Sequence, residues 1–410
     1  MKIIVIHDSA AIDGGASKIA ILAARGCAEA GMDVHYVAAA GPIAPELCGL
    51  DRLKVTCLEQ HDIKGDPNRL RAAIQGIANT RAASEIRRIL GAADPDTVVH
   101  IHSWSKALSP LAVRAAADSG LPVVMSLHEY FTACPNGGFY NFQKNEVCHL
   151  IPLSLSCISC HCDSRSYKHK LWRTARGLVQ TKVLGVPDCV KNYIILSPLS
   201  RRVQTPFLPK DATFHMLDNL IDVVDVGRAP VEHNKTVLFV GRFSREKGVI
   251  NLAHALRDLE IPAVFVGDGH LRPELEQMLP QAEFTGWLSS EGVTARMREA
   301  RLVAFPSTWY EVQPLVPLEA AANGVPTLVS NCTAAIDYVP HNERGLQFQH
   351  DSVESLKEQL LVAMDDRVIE RLSRNAYTWY WDNPWTSDRH VSELTRIYEQ
   401  MLGRTPVLAG

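Results

Sequence analysis

Two carboxylates, Glu311 and Glu319, stand eight positions apart in Glu311-Val312-Gln313-Pro314-Leu315-Val316-Pro317-Leu318-Glu319. Pro317 suits a first helical turn, and Gly324 with Pro326 beyond it suits the helix end. Glu319 then falls in the first turn and Glu311 in the loop before it. One loop and one helix start thus offer two carboxylates and free backbone N–H groups to a single crevice. Such N–H groups suit a phosphate, and a carboxylate beside them can accept hydrogen bonds from the two hydroxyls of a ribose. A second constellation, Gly241-Arg242-Phe243-Ser244-Arg245-Glu246-Lys247-Gly248, carries three cations between glycines, Arg242, Arg245 and Lys247, directly after an apolar run. Two more follow apolar runs in the first half: Asp13-Gly14-Gly15 and His128-Glu129. Alone, Arg242 and Lys247 read as a solvated surface pair. Glu311 and Glu319 alone read as carboxylates complementing a helix dipole, and His128 as a satisfied core histidine. Their shared placement after strands favours a site.

The elements that must position these residues alternate. Lys2–His7, Val34–Ala38, Thr97–His102 and Val123–His128 are short apolar or β-branched runs of the kind buried on both faces of a parallel sheet. Ser17–Ala30 has helix composition and ends at Gly31. After Pro230 the alternation restarts: strands at Thr236–Val240, Ala263–Val266, Leu302–Phe305 and Thr327–Ser330, helices at Val249–Leu259, Arg272–Met278 and Leu318–Ala322. Strand–helix alternation twice over predicts two doubly wound parallel sheets, and 410 residues suit two domains of that size. Ligands in such sheets bind beyond the carboxyl ends of the strands, where every constellation above lies. So do Gly267-Asp268-Gly269 and Glu283-Phe284-Thr285-Gly286-Trp287.

The ordered set resembles the retaining glycosyltransferases of family GT4, which have the GT-B fold. The resemblance is carried by Gly241-Arg242, four residues, Lys247-Gly248, and by Glu311, seven residues, Glu319. It extends through Gly267-Asp268-Gly269, Phe284-Thr285-Gly286, Asn219-Leu220-Ile221-Asp222, Gly14-Gly15 and His128-Glu129. It implies an acceptor domain over 1–208, a donor domain over 209–381, and a last segment, 382–410, crossing back onto the first domain. It further implies that Arg242 and Lys247 hold the diphosphate of a nucleotide-sugar donor, with no metal needed for catalysis. Fixed cations aimed at a leaving group that gains negative charge lower the barrier. Glu319 would bind the ribose, Glu311 would face the transferred sugar, and His128 would sit at that sugar. Gly14, Gly15, Gly241, Asp268, Val312, Gln313 and Leu315 would line the donor, with Trp287 by the base. The acceptor would be a saccharide or a lipid-linked molecule. Two positions depart from the commoner pattern: the loop after Glu311 reads Val-Gln-Pro-Leu rather than glycine-rich, and Glu129 stands where aspartate is commoner.

Other fold-compatible chemistries are a nucleotide-sugar epimerase and a phosphorylase. A reading from another class is a catalytically idle sugar-nucleotide-binding scaffold, against which Arg242, Lys247 and Glu311 argue.

Ten cysteines without a signal peptide argue against a disulfide framework. Five of them, Cys134, Cys148, Cys157, Cys160 and Cys162, crowd the segment after His128. Cys134, Cys148 and the Cys157–Cys160 knuckle supply four thiolates for a structural zinc, with His149, His161 and Cys162 as substitutes. Free thiols, an iron–sulfur cluster or one disulfide are the other readings. The set resembles a subset of the same glycosyltransferases. His100 and His102 alternate on a strand, and two ligands are too few for a metal, so packing and hydrogen bonding are expected. Asp94-Pro95-Asp96 precedes its strand and reads as a turn. Residues 165–182 contain six cations and no acid, among Leu171, Trp172, Leu178 and Val179. They suit a membrane-surface or lipid-diphosphate contact, or equally a solvated helix face. The net charge of −3 excludes a nucleic-acid binder. With no apolar run near the ~20 residues of a membrane span, a cytoplasmic protein, or one at the inner membrane face, is expected.

Overall fold

The computed structural model describes residues 1–404. Two all-parallel sheets form. The first contains β1 (Lys2–Ser9), β2 (Asp33–Ala40), β3 (Leu53–Cys57), β4 (Thr97–Ile101) and β5 (Val123–Ser126). A small hairpin of β6 (Tyr140–Asn141) and β7 (Glu146–Val147) interrupts the series, which β8 (Asn192–Ile195) and β9 (Thr213–Met216) complete. The order across the sheet is β3-β2-β1-β4-β5-β8-β9. The second sheet contains β10 (Val237–Val240), β11 (Ala263–Val266), β12 (Glu283–Gly286), β13 (Leu302–Phe305), β14 (Thr327–Ser330) and β15 (Gly345–Phe348), ordered β12-β11-β10-β13-β14-β15. Both orders reverse direction once, between β1 and β4 and between β10 and β13. A crevice opens beyond the strand ends at such a reversal. The fold is GT-B: two Rossmann-like sheets with a cleft between them.

The strands form where the sequence is apolar on both faces. Ile3, Val5 and Ile6 are buried, and Ile3 sits in register with Val34 on one side and Val98 on the other. Phe239 lies at a tilt against Phe265, which stacks on Phe284, running from β10 out to the edge strand β12. The boundary read from sequence at residue 208 falls before β9, which still pairs with β8 in the first sheet. The linker to the second sheet therefore begins after Met216.

The last helix, Ser387–Met401, crosses back onto the first domain and packs on the helix Gly15–Glu29. Gly26 makes this approach possible: a Cβ there would lie 2.8 Å from Ser387 Oγ and Val391 Cγ2. Residues 405–410, the end of the expected crossover segment, lie outside the described residues. The aromatic run ahead of the crossover packs together: Trp379 lies 6.2 Å from Trp385, and Tyr338 stacks on Trp379. Asp94-Pro95-Asp96 forms a turn at the amino end of β4, away from the cleft.

Candidate active site between the two sheets

The cations sit where β10 ends. Gly241 opens the turn, and Gly248 ends it in the left-handed region at φ 69°, where a Cβ would meet Pro306 O at 2.0 Å. Only glycine lets the β10 loop press on the β13 loop in this way. That contact brings Lys247 to Glu311: Lys247 Nζ donates to Glu311 Oε1 at 2.5 Å. The same carboxylate oxygen accepts from Ser307 Oγ at 3.0 Å and from Trp309 Nε1 at 2.7 Å. Burial pushes the Glu311 carboxyl up, but the Lys247 charge and these hydrogen bonds outweigh it and hold it below its ordinary value. Lys247 also lies over the rings of Trp309 and Phe305. Arg242 is exposed, and one guanidinium N–H donates to Glu246 Oε1 at 3.0 Å.

Glu319 lies in the first turn of the helix Val316–Ala322, as its spacing implies. Burial raises its carboxyl, opposed by the charge of Lys18 from the first domain. Leu315 faces Gly15 across the cleft, 4.0 Å from where a Gly15 Cβ would stand, and a Cβ on Gly14 would meet nothing within 4 Å. Asp268 at the end of β11 accepts from Gly269 N and Arg272 Nη1. Trp287, after β12, is exposed. Val312 and Gln313 are placed differently from the donor-lining expectation. Val312 is buried in the core of the first domain, and its carbonyl accepts from Ser197 Oγ at 2.6 Å. Gln313 is buried and spends its side chain on the linker: Oε1 accepts from Asn219 N, and Nε2 donates to Asp218 Oδ1. The proline-bearing loop after Glu311 is therefore a brace between domains, which explains why it is not glycine-rich.

From the first domain, His128 follows β5. Its Nε2 lies 3.0 Å from His102 Nδ1, and burial lowers its pKa to about 3, so the ring is neutral. His100 is hydrogen-bonded to Tyr398 and Ser126, matching the packing role expected for the pair on β4. Glu129 accepts from Ser105 Oγ, and burial raises its carboxyl despite nearby Lys106.

Asp8 went unread in the sequence. Its carboxylate accepts from Ser103 Oγ and from the backbone N–H groups of Lys106, Ala107 and Leu108, at 2.8–2.9 Å. It shapes the loop after β4; the one available signal was an acid closing a buried strand. The cysteine loop also reaches the site. Tyr140 Oη lies 2.9 Å from Thr308 Oγ1, and Gly138 packs on the ring of Trp309.

Within that loop Cys134 and Cys157 are buried, Cys148 and Cys160 half-buried, and all are free thiols. Among the described residues no three His, Cys, Asp or Glu side chains converge as metal ligands. The fully buried Lys170 instead donates to Cys157 Sγ at 3.3 Å. Burial works against the Lys170 charge, but Cys162 and Cys157 raise its pKa on balance. Burial raises the Cys148 thiol, and neighbouring Cys134, Cys157 and Cys160 raise it further, so the four expected ligands share one neighbourhood. In the basic stretch 165–182, Lys170 and Arg176 are buried and Arg173 pairs with buried Asp163 at 2.9 Å. That leaves Arg165, Lys168 and Lys182 outward beside exposed Leu171 and Leu178. Among the described residues no helix is long and apolar enough to cross a membrane.

Known proteins carry the same architecture. Residues 14–150 match the glycosyl transferase 4-like domain, and residues 227–379 match the glycosyl transferases group 1 family. A GDP-mannose-dependent alpha-mannosyltransferase of Corynebacterium glutamicum is 32% identical over 160 residues, 38% of this chain and 38% of that protein. A 2-deoxystreptamine N-acetyl-D-glucosaminyltransferase of Niallia circulans is 25% identical over 67% of this chain and 69% of its own length. The chain thus spans well under half of the corynebacterial relative it matches. HepE of Anabaena, solved with UDP and glucose, superposes with a TM-score of 0.67 at 16% identity, over 98% of this chain and 100% of that one. Sucrose-phosphate synthase of Thermosynechococcus elongatus superposes with a TM-score of 0.71 at 15% identity, over 98% and 99%. With both domain families matched in order on two Rossmann-like sheets, the chain belongs to the GT4 glycosyltransferases of the GT-B fold.

Proposed function

We propose that this protein transfers a sugar from a nucleotide-diphosphate donor to a saccharide or lipid-linked acceptor, with retention and without a catalytic metal, in glycoconjugate synthesis. The observation that carries this reading is the Lys247–Glu311 pair joining the loops after β10 and β13, with Leu315 just beyond set against Gly15 of the first domain. Arg242 and Lys247 stabilise the charge that builds on the departing nucleotide, Glu311 faces the transferred sugar, Glu319 holds the ribose, and His128 contacts the sugar. Trp287 lies by the base, and Gly241, Asp268 and Leu315 border the donor. Val312 and Gln313 act through their backbone alone, since their side chains are engaged elsewhere. The GDP-mannose named for the mannosyltransferase relative, and the UDP and glucose held by HepE, support a nucleotide-sugar donor.

The test is a hydrolysis screen across nucleotide sugars, run with and without EDTA. Lys247→Ala should lower donor turnover by about 10²–10³-fold while the chain stays folded. Near-wild-type turnover in that variant would refute the assignment, as would EDTA-sensitive turnover by fully folded protein.

Two finer readings accompany it. The outward face with Arg165, Lys168 and Lys182, flanked by exposed Leu70, Ile74, Leu171 and Val183, suits the headgroup layer at the cytoplasmic side of a membrane. Cosedimentation with anionic vesicles checks this. Cys134, Cys148, Cys157 and Cys160 would hold a structural zinc, ordering the loop when bound. Their soft donor chemistry fits, and buried Lys170 offsets the surplus negative charge of four thiolates. Elemental analysis of purified protein decides it: one zinc per chain, lost in Cys160→Ser, is expected.

A further inference from the structure

Three histidines stack at the carboxyl ends of β4 and β5. The His100 and His102 rings lie 3.9 Å apart, and the His102 and His128 rings 5.2 Å apart at an interplanar angle of 15°. His100 is pinned by hydrogen bonds at both ring nitrogens, so the stack holds His102 in one orientation. His102 Nδ1 then meets His128 Nε2 at 3.0 Å, while His102 Nε2 is buried with no partner. Burial depresses the pKa of both rings, so each carries one proton and the pair shares a single N–H···N bond.

Two arrangements satisfy that bond. If His128 donates, His102 must carry its proton on Nε2, where an N–H would be buried without an acceptor. If His102 donates from Nδ1, its Nε2 is only an unused lone pair. Orphaned buried N–H groups are the rarer and costlier of the two. His128 Nδ1 has no bond to protein among the described residues.

We infer that His102 is a positioning residue: it donates Nδ1–H to His128 Nε2 and so fixes His128 as the Nδ1–H tautomer, which presents a hydrogen-bond donor to a hydroxyl oxygen of the donor sugar. The inference rests on the proposed contact between His128 and that sugar. A second ring nitrogen sets the tautomer of a working histidine in this way whenever its partner is fixed.

The experiment uses full-length protein labelled with 15N-histidine and long-range 1H–15N correlation, with His128 assigned by loss of its signals in His128→Gln. The expected wild-type spectrum shows a protonated Nδ1 and a bare Nε2 on His128. His102→Leu should mix the two tautomers and lower kcat for donor hydrolysis about tenfold with little change in donor KM. His102→Asn, whose amide N–H stands near the lost Nδ1, should restore both. A wild-type His128 protonated on Nε2 would overturn the inference, as would a tautomer and kcat that ignore His102→Leu. Should the leucine variant not fold, the wild-type spectrum still decides. Wild-type turnover in His128→Gln would remove the sugar contact itself. That failure is read without touching His102, and it takes the purpose of the pair with it.

Discussion

Glu311 and Lys247 are each mostly buried, with side-chain exposures of 13% and 21%, so their attraction is little screened. Removing one partner of such a pair strands the other charge. Lys247→Met should cost about 3 kcal/mol of stability at pH 7. The pH dependence follows from the direction of the Glu311 shift. Its carboxyl is held below its ordinary value of 4.5, so its stabilising contribution is complete above about that pH and fades as pH falls through the lower folded value. In the methionine variant burial is opposed only by the Ser307 and Trp309 hydrogen bonds, so Glu311 accepts a proton at higher pH than in the wild type. The stability gap between the two proteins should therefore narrow between pH 7 and pH 4, and urea unfolding at the two pH values measures it. An unchanged gap would show that the pair does not set the Glu311 charge. At this scale the sequence showed which groups end strands but not where their side chains turn. Gln313 reads as a donor contact until the linker backbone at Asn219 is seen taking its amide. Asp8, which organises a whole loop, looks like any acid after a strand.

Elements bring those residues together, and the cysteine loop is the clearest instance. Its hairpin places Tyr140 on Thr308 and Gly138 against Trp309, and Trp309 donates to Glu311. A Cβ on Gly138 would already stand 3.1 Å from the Trp309 ring. Gly138→Val should therefore push Trp309 off Glu311 and lower turnover by up to about 10²-fold, since displacements near 1 Å suffice for that. Tyr140→Phe removes one hydrogen bond and should cost only about 1 kcal/mol. Circular dichroism and tryptophan fluorescence would separate a local shift from unfolding. Turnover in Gly138→Val equal to wild type would detach the loop from the chemistry. The sequence announced this loop through its cysteines and hid its purpose, because the contact joins residues about 170 positions apart. Fully buried strands such as β4 and β5 were readable. The edge strands β3 and β9 were not: Leu53-Lys54-Val55-Thr56-Cys57 and Thr213-Phe214-His215-Met216 carry exposed or half-buried polar residues at the sheet's two edges.

Across the whole molecule, several of the polar links between the two sheets lie close to the linker. Ser197 Oγ donates to Val312 O, Leu199 N donates to Asp337 Oδ2 at 3.3 Å, and Gln313 grips Asn219. These links, with the Tyr140–Thr308 contact from the cysteine loop, set how the cleft walls stand before they close. Ser197 serves both halves at once, since its hydroxyl oxygen also accepts from Ser200 N and caps the helix Pro198–Gln204. Ser197→Ala loses cap and link together, with a cost of about 1 kcal/mol from the cap alone. Ser197→Thr keeps a hydroxyl that can make both bonds. If the link sets the resting angle between the domains, the alanine variant should show a larger radius of gyration by small-angle X-ray scattering before donor is added, and a raised donor KM. Saturating nucleotide should bring it to the compact form of the wild type, and the threonine variant should behave as wild type throughout. A radius of gyration that matches wild type in the free alanine variant, together with an unchanged KM, would place the pivot elsewhere. The remaining ties would then include the Leu199–Asp337 and Tyr140–Thr308 bonds and the crossover helix Ser387–Met401, anchored by Tyr398 on His100 and wedged against Gly26.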